Sequence, residues 1–246
     1  MEPVRSTRNP RVTAAVRLRR ARERTRLGLT LLEGPHLLSE ALASGVEVLE
    51  VFGLGSPDPA IPNWVEVTEE VLRKLADTEN PRGPVAVIRI PPAAVTTRDH
   101  LVLSVSDPGN AGTLIRTAAA FGLDVAFRSD AVDPWSPKVL RAAAGSHFRT
   151  SIGGPMADAA TIATVVKGGV AARDLGAVLD PARQWAILVG SEALGLAADE
   201  VEAADVKVTI PMPGGTESLN AAVAGAIVAY ELALWRSADG GVISNR

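Results

Sequence analysis

One stretch limits what this chain can fold into more than any other: IPMPGGTESLNAAVAGAIVAYELALW, residues 210–235, where a Gly/Pro-rich loop runs into a nearly all-apolar segment. From 219 to 235 only Asn220, Tyr230 and Glu231 carry polar side chains. Such a run approaches the ~18 apolar residues at which a membrane span becomes a candidate. Its detail argues otherwise. Ala222, Ala226, Ala229 and Ala233 recur at helical spacing with Gly225 beside them, so one helix face is smooth enough for another backbone to come close. Glu231 sits within the run, and no basic flank directly follows Arg236. These features predict a helix buried in a core or at a subunit interface, and no membrane partner.

The loop ahead of that helix carries more chemistry. Pro211, Pro213, Gly214 and Gly215 impose an irregular path that bares backbone N–H and C=O groups, which can read a flat heterocycle. Ser218 is placed to cap the helix. The same residues also suit an ordinary strand-to-helix turn, so the rest of the chain has to decide.

Composition narrows the field. With 246 residues, 47% of them hydrophobic, the chain can bury a core as one large domain or two small ones. It contains no cysteine, which removes disulfides, thiolate catalysis and Cys-ligated zinc. His36, His100 and His147 are too far apart in sequence for a local metal motif, so no metal is expected. The first residues, MEPVRSTRNPR, lack the apolar core of a signal peptide, which favours the cytoplasm. Residues 1–26 hold nine arginines against Glu2 and Glu23, a net of +7. The whole chain is −3, so residues 27–246 sum to −10. A basic patch on an acidic body suits a polyanion gripped at one place, and a solvated Arg-rich helix is the plain alternative.

In chain order, the first ninety residues predict a small α/β unit. A helix follows Asn9-Pro10, an apolar run covers 27–34, a helix 36–43 and a strand 46–53. Thr68 opens a further helix, and 84–90 reads as a strand. Pro91-Pro92 and the short polar residues after them break the pattern, dividing the chain into a domain 1–92, a linker 93–98 and a domain 99–246. The second domain opens with a continuous apolar strand, 101–105, of the kind buried in a parallel sheet. Asp107-Pro108-Gly109 turns the chain, Asn110 can cap, and a helix over 113–121 ends at Gly122. Beyond it the pattern predicts a strand at 124–129, helices at 136–145 and 157–169, and strands at 168–174, 186–189 and 205–210. Alternating elements with apolar strands imply an α/β domain around a parallel sheet. No G-x-G-x-x-G or G-x-x-x-x-G-K-[ST] occurs, so a nicotinamide-dependent oxidoreductase or a P-loop enzyme is disfavoured.

Three stretches, DPGNAGTLIRTAAAFG, LVGSEALGL and IPMPGGTESLNAAVAGAI, resemble in order and spacing the three motifs of the SpoU (TrmH-like) RNA ribose 2′-O-methyltransferases of the SPOUT class. LLEGPHLLSEAL and TENPRGPVAV are similar to that family's accessory RNA-binding domain. The resemblance implies an α/β catalytic domain whose parallel sheet carries a deep trefoil knot, a small N-terminal α/β RNA-binding domain, and a homodimer. It further implies S-adenosylmethionine as cofactor, held by Gly190, Ile210 and Leu219 with Leu188, Val189 and Met212 close by, and Asn110, Arg116, Glu192, Ser218 and Asn220 as the catalytic set. Ribosomal RNA is the preferred substrate, with transfer RNA second and a non-catalytic RNA-binding factor as a reading of a different class. The chain departs from the family pattern at Ala143, Ala221, Ala222 and Gly225, and has Arg82 where a Gln is usual. Arginine stays protonated in proteins. Arg116 is therefore expected to grip a phosphate and polarise the hydroxyl instead of accepting its proton, with Asn110 and Ser218 orienting it and Glu192 fixing Asn110 or Arg116.

Overall fold

The computed structural model describes residues 2–56, 59–78, 80, 81, 83–94, 96–153 and 158–238, so Arg82 lies outside the described residues. The chain divides into two compact units, Met1–Pro92 with Asp133–Arg149, and Ala93–Val132 with Thr150–Arg246.

The first unit begins with helices α1, Pro10–Arg17, and α2, Ala21–Leu27. Asn9 accepts a hydrogen bond from the Arg11 N–H and Pro10 fills the first turn, so the helix starts where a proline costs nothing. The apolar run 27–34 forms strand β1, Leu29–Glu33, followed by α3, Pro35–Ala43, and β2, Val48–Gly53. Then come β3, Trp64–Glu66, α4, Glu69–Leu75, and β4, Val85–Arg89. The sheet order is β1-β4-β2-β3, with β1 and β2 antiparallel to β4 and β3 parallel to β2. One core gathers Val12, Ala15 and Leu18 with Leu31, Phe52, Val71, Leu75 and Val87.

The second unit opens with β5, His100–Leu103, α5, Pro108–Phe121, and β6, Asp124–Phe127. The next helix, α6, Pro137–Ala142, belongs to the first unit. After it come β7, Ala160–Thr164, β8, Val170–Ala171, a 3₁₀ turn, Ala172–Ala177, and β9, Trp185–Val189. The unit closes with α7, Ala198–Ala203, β10, Val206–Thr209, and α8, Ala221–Ala238. Six strands in the order β6-β5-β9-β7-β10-β8 form a wholly parallel sheet, with β9 and β10 inserted between strands laid down earlier. The α/β expectation is therefore met in both units. Residues 157–169, expected to be helical, contain β7 instead: Ala160, Ile162 and Ala163 are buried, and pairing with β9 and β10 outweighs the helix preference of an Ala-rich stretch.

Helix α8 is long and apolar enough to cross a membrane by length and composition. In this fold it packs on α5, β9 and the 3₁₀ turn. Its buried residues are Ala222, Gly225, Val228, Ala229 and Leu232. A Cβ added at Gly225 would lie 2.7 Å from Leu114 Cδ2 and 3.0 Å from Val189 Cγ2, so the smooth stripe serves this unit's own core. Ala226 and Ala233 lie half-buried at its margin, and Val223, Tyr230 and Leu234 are exposed. The far end of α8 is tied down by Arg236, whose Nε and Nη2 donate to Asp99 at 2.8 and 2.9 Å. Asp99 in turn accepts from the Trp185 N–H at 2.8 Å.

Segment Asp133–Arg149, expected in the second domain, is part of the first unit, where α6 packs on β1. Buried polar contacts explain why. Thr30 Oγ1 donates to the Trp135 carbonyl at 2.7 Å, and buried Arg24 donates through Nε to Asp133 at 2.9 Å and through Nη1 to the Leu18 carbonyl at 2.7 Å. Arg141 reaches Glu33 and Asp77, and Arg149 reaches Glu40. Ser136, capping α6, and Pro137 were readable in sequence; the unit that α6 joins was not.

Candidate functional site

The parallel sheet sends the chain out of β5, β7, β9 and β10 at one edge, and the segments leaving β7, β9 and β10 build a cavity of about 530 Å³ there. That is the edge at which open α/β sheets bind ligands. Its walls come from Thr164, the last residue of β7, and Val165 and Val166 after it, from residues 189–196 at the end of β9, from Ile210, Met212, Ser218 and Leu219 after β10, and from the start of α8. The volume falls within the ~300–1,000 Å³ usual for small-ligand clefts.

Gly190 forms a point of closest backbone approach. A Cβ there would stand 2.2 Å from the Gly195 carbonyl carbon and 2.4 Å from the Leu196 nitrogen, so no side chain fits. The loop folds back through paired bonds, Ser191 N–H to the Gly195 carbonyl at 3.1 Å and Gly195 N–H to the Ser191 carbonyl at 2.9 Å. Gly195 holds φ at +70°, the left-handed region where glycine is unstrained.

At the lip of the cavity three residues from three segments form one chain of hydrogen bonds. Asn110 Nδ2 donates to Glu192 Oε1 at 2.9 Å, and Asn220 Nδ2 donates to Asn110 Oδ1 at 3.0 Å. Asn220 Oδ1 accepts from the N–H groups of Ala222 at 2.9 Å and Val223 at 3.2 Å. A carboxylate can only accept and a helix N-terminus can only donate, so the two ends dictate how both amides face. Glu192 also accepts from the Ser106 N–H and Oγ and from the Asp107 N–H, each at 3.2 Å. Partial burial pushes the Glu192 carboxyl up, but the Asn110 amide and the backbone N–H groups outweigh it and hold the pKa at about 2. Glu192 is thus a fixed anion that anchors Asn110 and is too weakly basic to take a proton near neutrality.

These bonds revise two expectations. Asn220, not Ser218, caps α8: the helix starts at Ala221, which puts Asn220 at the cap position, while Ser218 lies on the cavity wall. Asn110 does not cap α5 either. Asp107 does, accepting from the Asn110 N–H at 2.8 Å, and the helix starts at Pro108, with Asn110 in its first turn.

Of the expected cofactor residues, Val189, Gly190, Ile210, Met212 and Leu219 line the cavity. Leu188 stands behind the wall: its side chain packs with Val102 and Ala186, and its carbonyl accepts from Thr164 Oγ1 at 2.9 Å. Glu192, Ser218 and Asn220 line the cavity and Asn110 is bonded to two of them. Arg116 is apart from this group, exposed on α5 with no side-chain partner among the described residues. Ser106 and Thr164 went unnoticed in the sequence, and Leu196 was read only as the end of the motif LVGSEALGL. Ser106 directly follows a predicted strand, a detectable position, whereas Thr164 and Val165 were hidden by the helical reading of 157–169.

Residues 100–230 match the model of the SpoU rRNA methylase family. The chain belongs to that family. Residues 9–86 match the MRM3-like substrate binding domain. A Bacillus subtilis (strain 168) protein, 23S rRNA (guanosine(2553)-2′-O)-methyltransferase RlmP, is 34% identical over 252 residues, spanning 94% of this chain and 99% of its own. The SpoU methyltransferase AviRb from Streptomyces viridochromogenes, solved with AdoMet, superposes with a TM-score of 0.80 at 25% identity, over 96% of this chain and 100% of that one. An AdoMet-bound rRNA methyltransferase from Sinorhizobium meliloti gives 0.78 at 25% identity, over 94% and 96%. As a SpoU family member the chain is a methyltransferase, and the cavity at the ends of β7, β9 and β10 is where its chemistry is to be sought.

Proposed function

We propose that this protein transfers a methyl group from S-adenosylmethionine to a ribose 2′-hydroxyl of ribosomal RNA, acting in the cytoplasm as a homodimer whose second unit holds a deep trefoil knot. One observation carries the chemistry: the bonded chain Glu192–Asn110–Asn220 sits at the lip of a cavity pinched by Gly190. The cavity suits the cofactor, since Val165, Leu196, Ile210, Met212 and Leu219 offer apolar wall for a flat base and Gly190 leaves backbone groups within reach. When bound, S-adenosylmethionine supplies an already activated methyl on its sulfonium.

What remains for the protein is alignment and help with the departing proton. Asn110 and Asn220 are locked in one orientation, so the polar lip is set before substrate arrives. Glu192 stays ionised and holds Asn110 in place. Arg116, exposed and without a side-chain partner among the described residues, is suited to grip an RNA phosphate beside the ribose, a planar fork meeting two oxygens.

The knot is supported by β9 and β10 lying between strands laid down before them. The dimer is supported by the apolar residues left exposed on α8: Val223 and Tyr230, each 47% exposed, and Leu234, 38% exposed. The substrate-binding model over residues 9–86 favours an enzyme over a factor that has lost its chemistry, and the Bacillus relative's target, a guanosine of 23S rRNA, is the first nucleotide to test. Mapping ribose methylation in ribosomal RNA from cells with and without the gene, then restoring it with purified protein and S-adenosylmethionine, decides the reading. One ribosomal site should lose and regain its mark. Unchanged ribosomal RNA alongside a lost transfer RNA mark would move the substrate, and no lost mark in either would remove the activity.

A further inference from the structure

The charge of the N-terminal segment is less available than its +7 suggests. Arg24 is buried against Asp133, Arg26 pairs with Glu23 at 2.8 Å, and Arg11 pairs with Glu50 at 2.6 Å. Those three arginines are spent within the first unit. Among the arginines that remain, two converge. Arg17, from the last turn of α1, and Arg20, from the bend before α2, line a cavity of about 420 Å³ together with Lys74 of α4, Thr7, Thr13 and Val16.

Three features make this groove a binding site in waiting. No carboxylate is among its lining residues. The side chains of Arg17, Arg20 and Lys74 have no hydrogen-bond or ion-pair partner among the described residues, and neither do the hydroxyls of Thr7 and Thr13. Of the acids close in sequence, Glu23, which feels the charge of Arg17, is bonded to Arg26, Glu69 faces Arg73 at 3.5 Å, and Glu70, one turn before Lys74 on α4, lies outside the lining. Three cations from three separate segments repel one another across a shared groove, and an anion placed between them reverses the sign of that energy. Two arginine forks and an ammonium can only donate, and the two threonine hydroxyls can donate beside them, a set of donors and positive charge that matches a phosphodiester and disfavours a cationic ligand.

We propose that the groove between α1 and α4 clamps a backbone phosphate of the RNA substrate, away from the modified nucleotide, with Arg17, Arg20 and Lys74 supplying charge and Thr7 and Thr13 supplying hydroxyl donors. The inference rests on the RNA-methyltransferase reading for the identity of the polyanion. Phosphate contacts position a nucleic acid without reading its bases, so the clamp sets register on the RNA and leaves sequence choice to other contacts. The cavity is larger than a phosphate alone needs and leaves room for an attached ribose.

The test compares two variants of the full chain, Arg17→Ala/Arg20→Ala/Lys74→Ala and, as a control, Arg5→Ala/Arg22→Ala, which removes exposed arginines outside the groove. Affinity for a fragment of ribosomal RNA is measured against salt, with S-adenosylmethionine affinity as the check on folding. The groove variant should bind RNA roughly tenfold or more weakly, with a log–log salt slope shallower by at least about 0.7, the value for one phosphate on a single strand. The control should change much less. Equal losses in the two variants would show diffuse attraction and overturn the clamp, as would an unchanged groove variant. If the wild-type protein methylates no RNA yet the groove variant alone loses RNA binding, the clamp stands and the enzymatic reading fails.

Discussion

In the second unit all strand pairs are parallel, so the segments leaving β5, β7, β9 and β10 emerge at a single edge, and polar groups far apart in sequence collect there. In the first unit β1 and β2 run against β4, no edge gathers strand ends of one polarity, and the cationic groove lies between two helices. Sheet polarity therefore separates the tasks: the parallel unit concentrates fixed dipoles and close backbone approaches in one cavity, and the mixed unit spreads charge over a helical surface. The first arrangement suits a reacting centre and the second a grip on a long polyanion.

The strongest challenge to this division is Arg116→Ala. If Arg116 holds substrate only as the reaction proceeds, methyl transfer should fall by roughly 10²–10³-fold while S-adenosylmethionine affinity stays unchanged, because the lost interaction is one made in the transition state. Radioactive methyl incorporation beside calorimetric titration of the cofactor reads both; near wild-type turnover would remove Arg116 from the chemistry. Gly190→Ala attacks the cavity itself. The added Cβ must displace the Gly195–Leu196 backbone, at an overpacking cost of about 1–3 kcal/mol, so cofactor affinity should drop with it. An alanine variant that binds the cofactor normally would show that this approach does not shape the site.

A third measurement concerns the first unit and spares the second. His147 is buried, meets the Trp135 ring at a tilt of 52° with centroids 5.1 Å apart, and donates through Nε2 to the Pro134 carbonyl at 2.8 Å, leaving Nδ1 without a partner among the described residues. Burial, only partly offset by the Pro134 carbonyl and Asp133, pushes its pKa down to about 4 from 6.5. The unfolded chain then binds the extra proton first, so stability is fully present above pH 6.5 and is lost as pH falls toward 4, by up to roughly 3 kcal/mol. Urea unfolding of the wild type should weaken across that window, and His147→Gln should flatten the slope. Parallel slopes in the two proteins would refute the account.

The smallest effect belongs to Glu192. Its folded pKa, about 2, lies below the 4.5 of a free glutamate, so its contribution holds above pH 4.5 and fades as pH falls toward 2. The gap in melting temperature between wild type and Glu192→Gln should narrow as pH is lowered from 4.5 to 3. A constant gap would mean that packing and not charge holds the carboxylate.

Much of this was legible in the residues. Apolar runs announced β1, β4, β5 and β9, and three motifs named in order the segments that meet at the cavity. Cap signals were readable but misassigned by a few residues: Asp107 and Asn110 both suit a cap, as do Ser218 and Asn220, and only the hydrogen bonds decide between them. The strand at Ala160–Thr164 was illegible because ATIAT has no two-residue alternation, and its state is set by neighbours on both sides. The exposure of Arg116 and the internal pairing of Arg11, Arg24 and Arg26 depend on which distant carboxylates arrive beside them, and charge counting does not contain that information.

The excursion of Asp133–Arg149 into the first unit also sets an order of events during synthesis. The first 92 residues leave the ribosome with Thr30 and Arg24 still lacking Trp135 and Asp133, the partners that will bury them. Strand β5, helix α5 and strand β6 must emerge before those partners do. The amino-terminal unit therefore waits, its β1 face uncovered, until residue 149 has been made, and a chain halted at residue 92 is a fragment lacking part of its own core and not a finished domain.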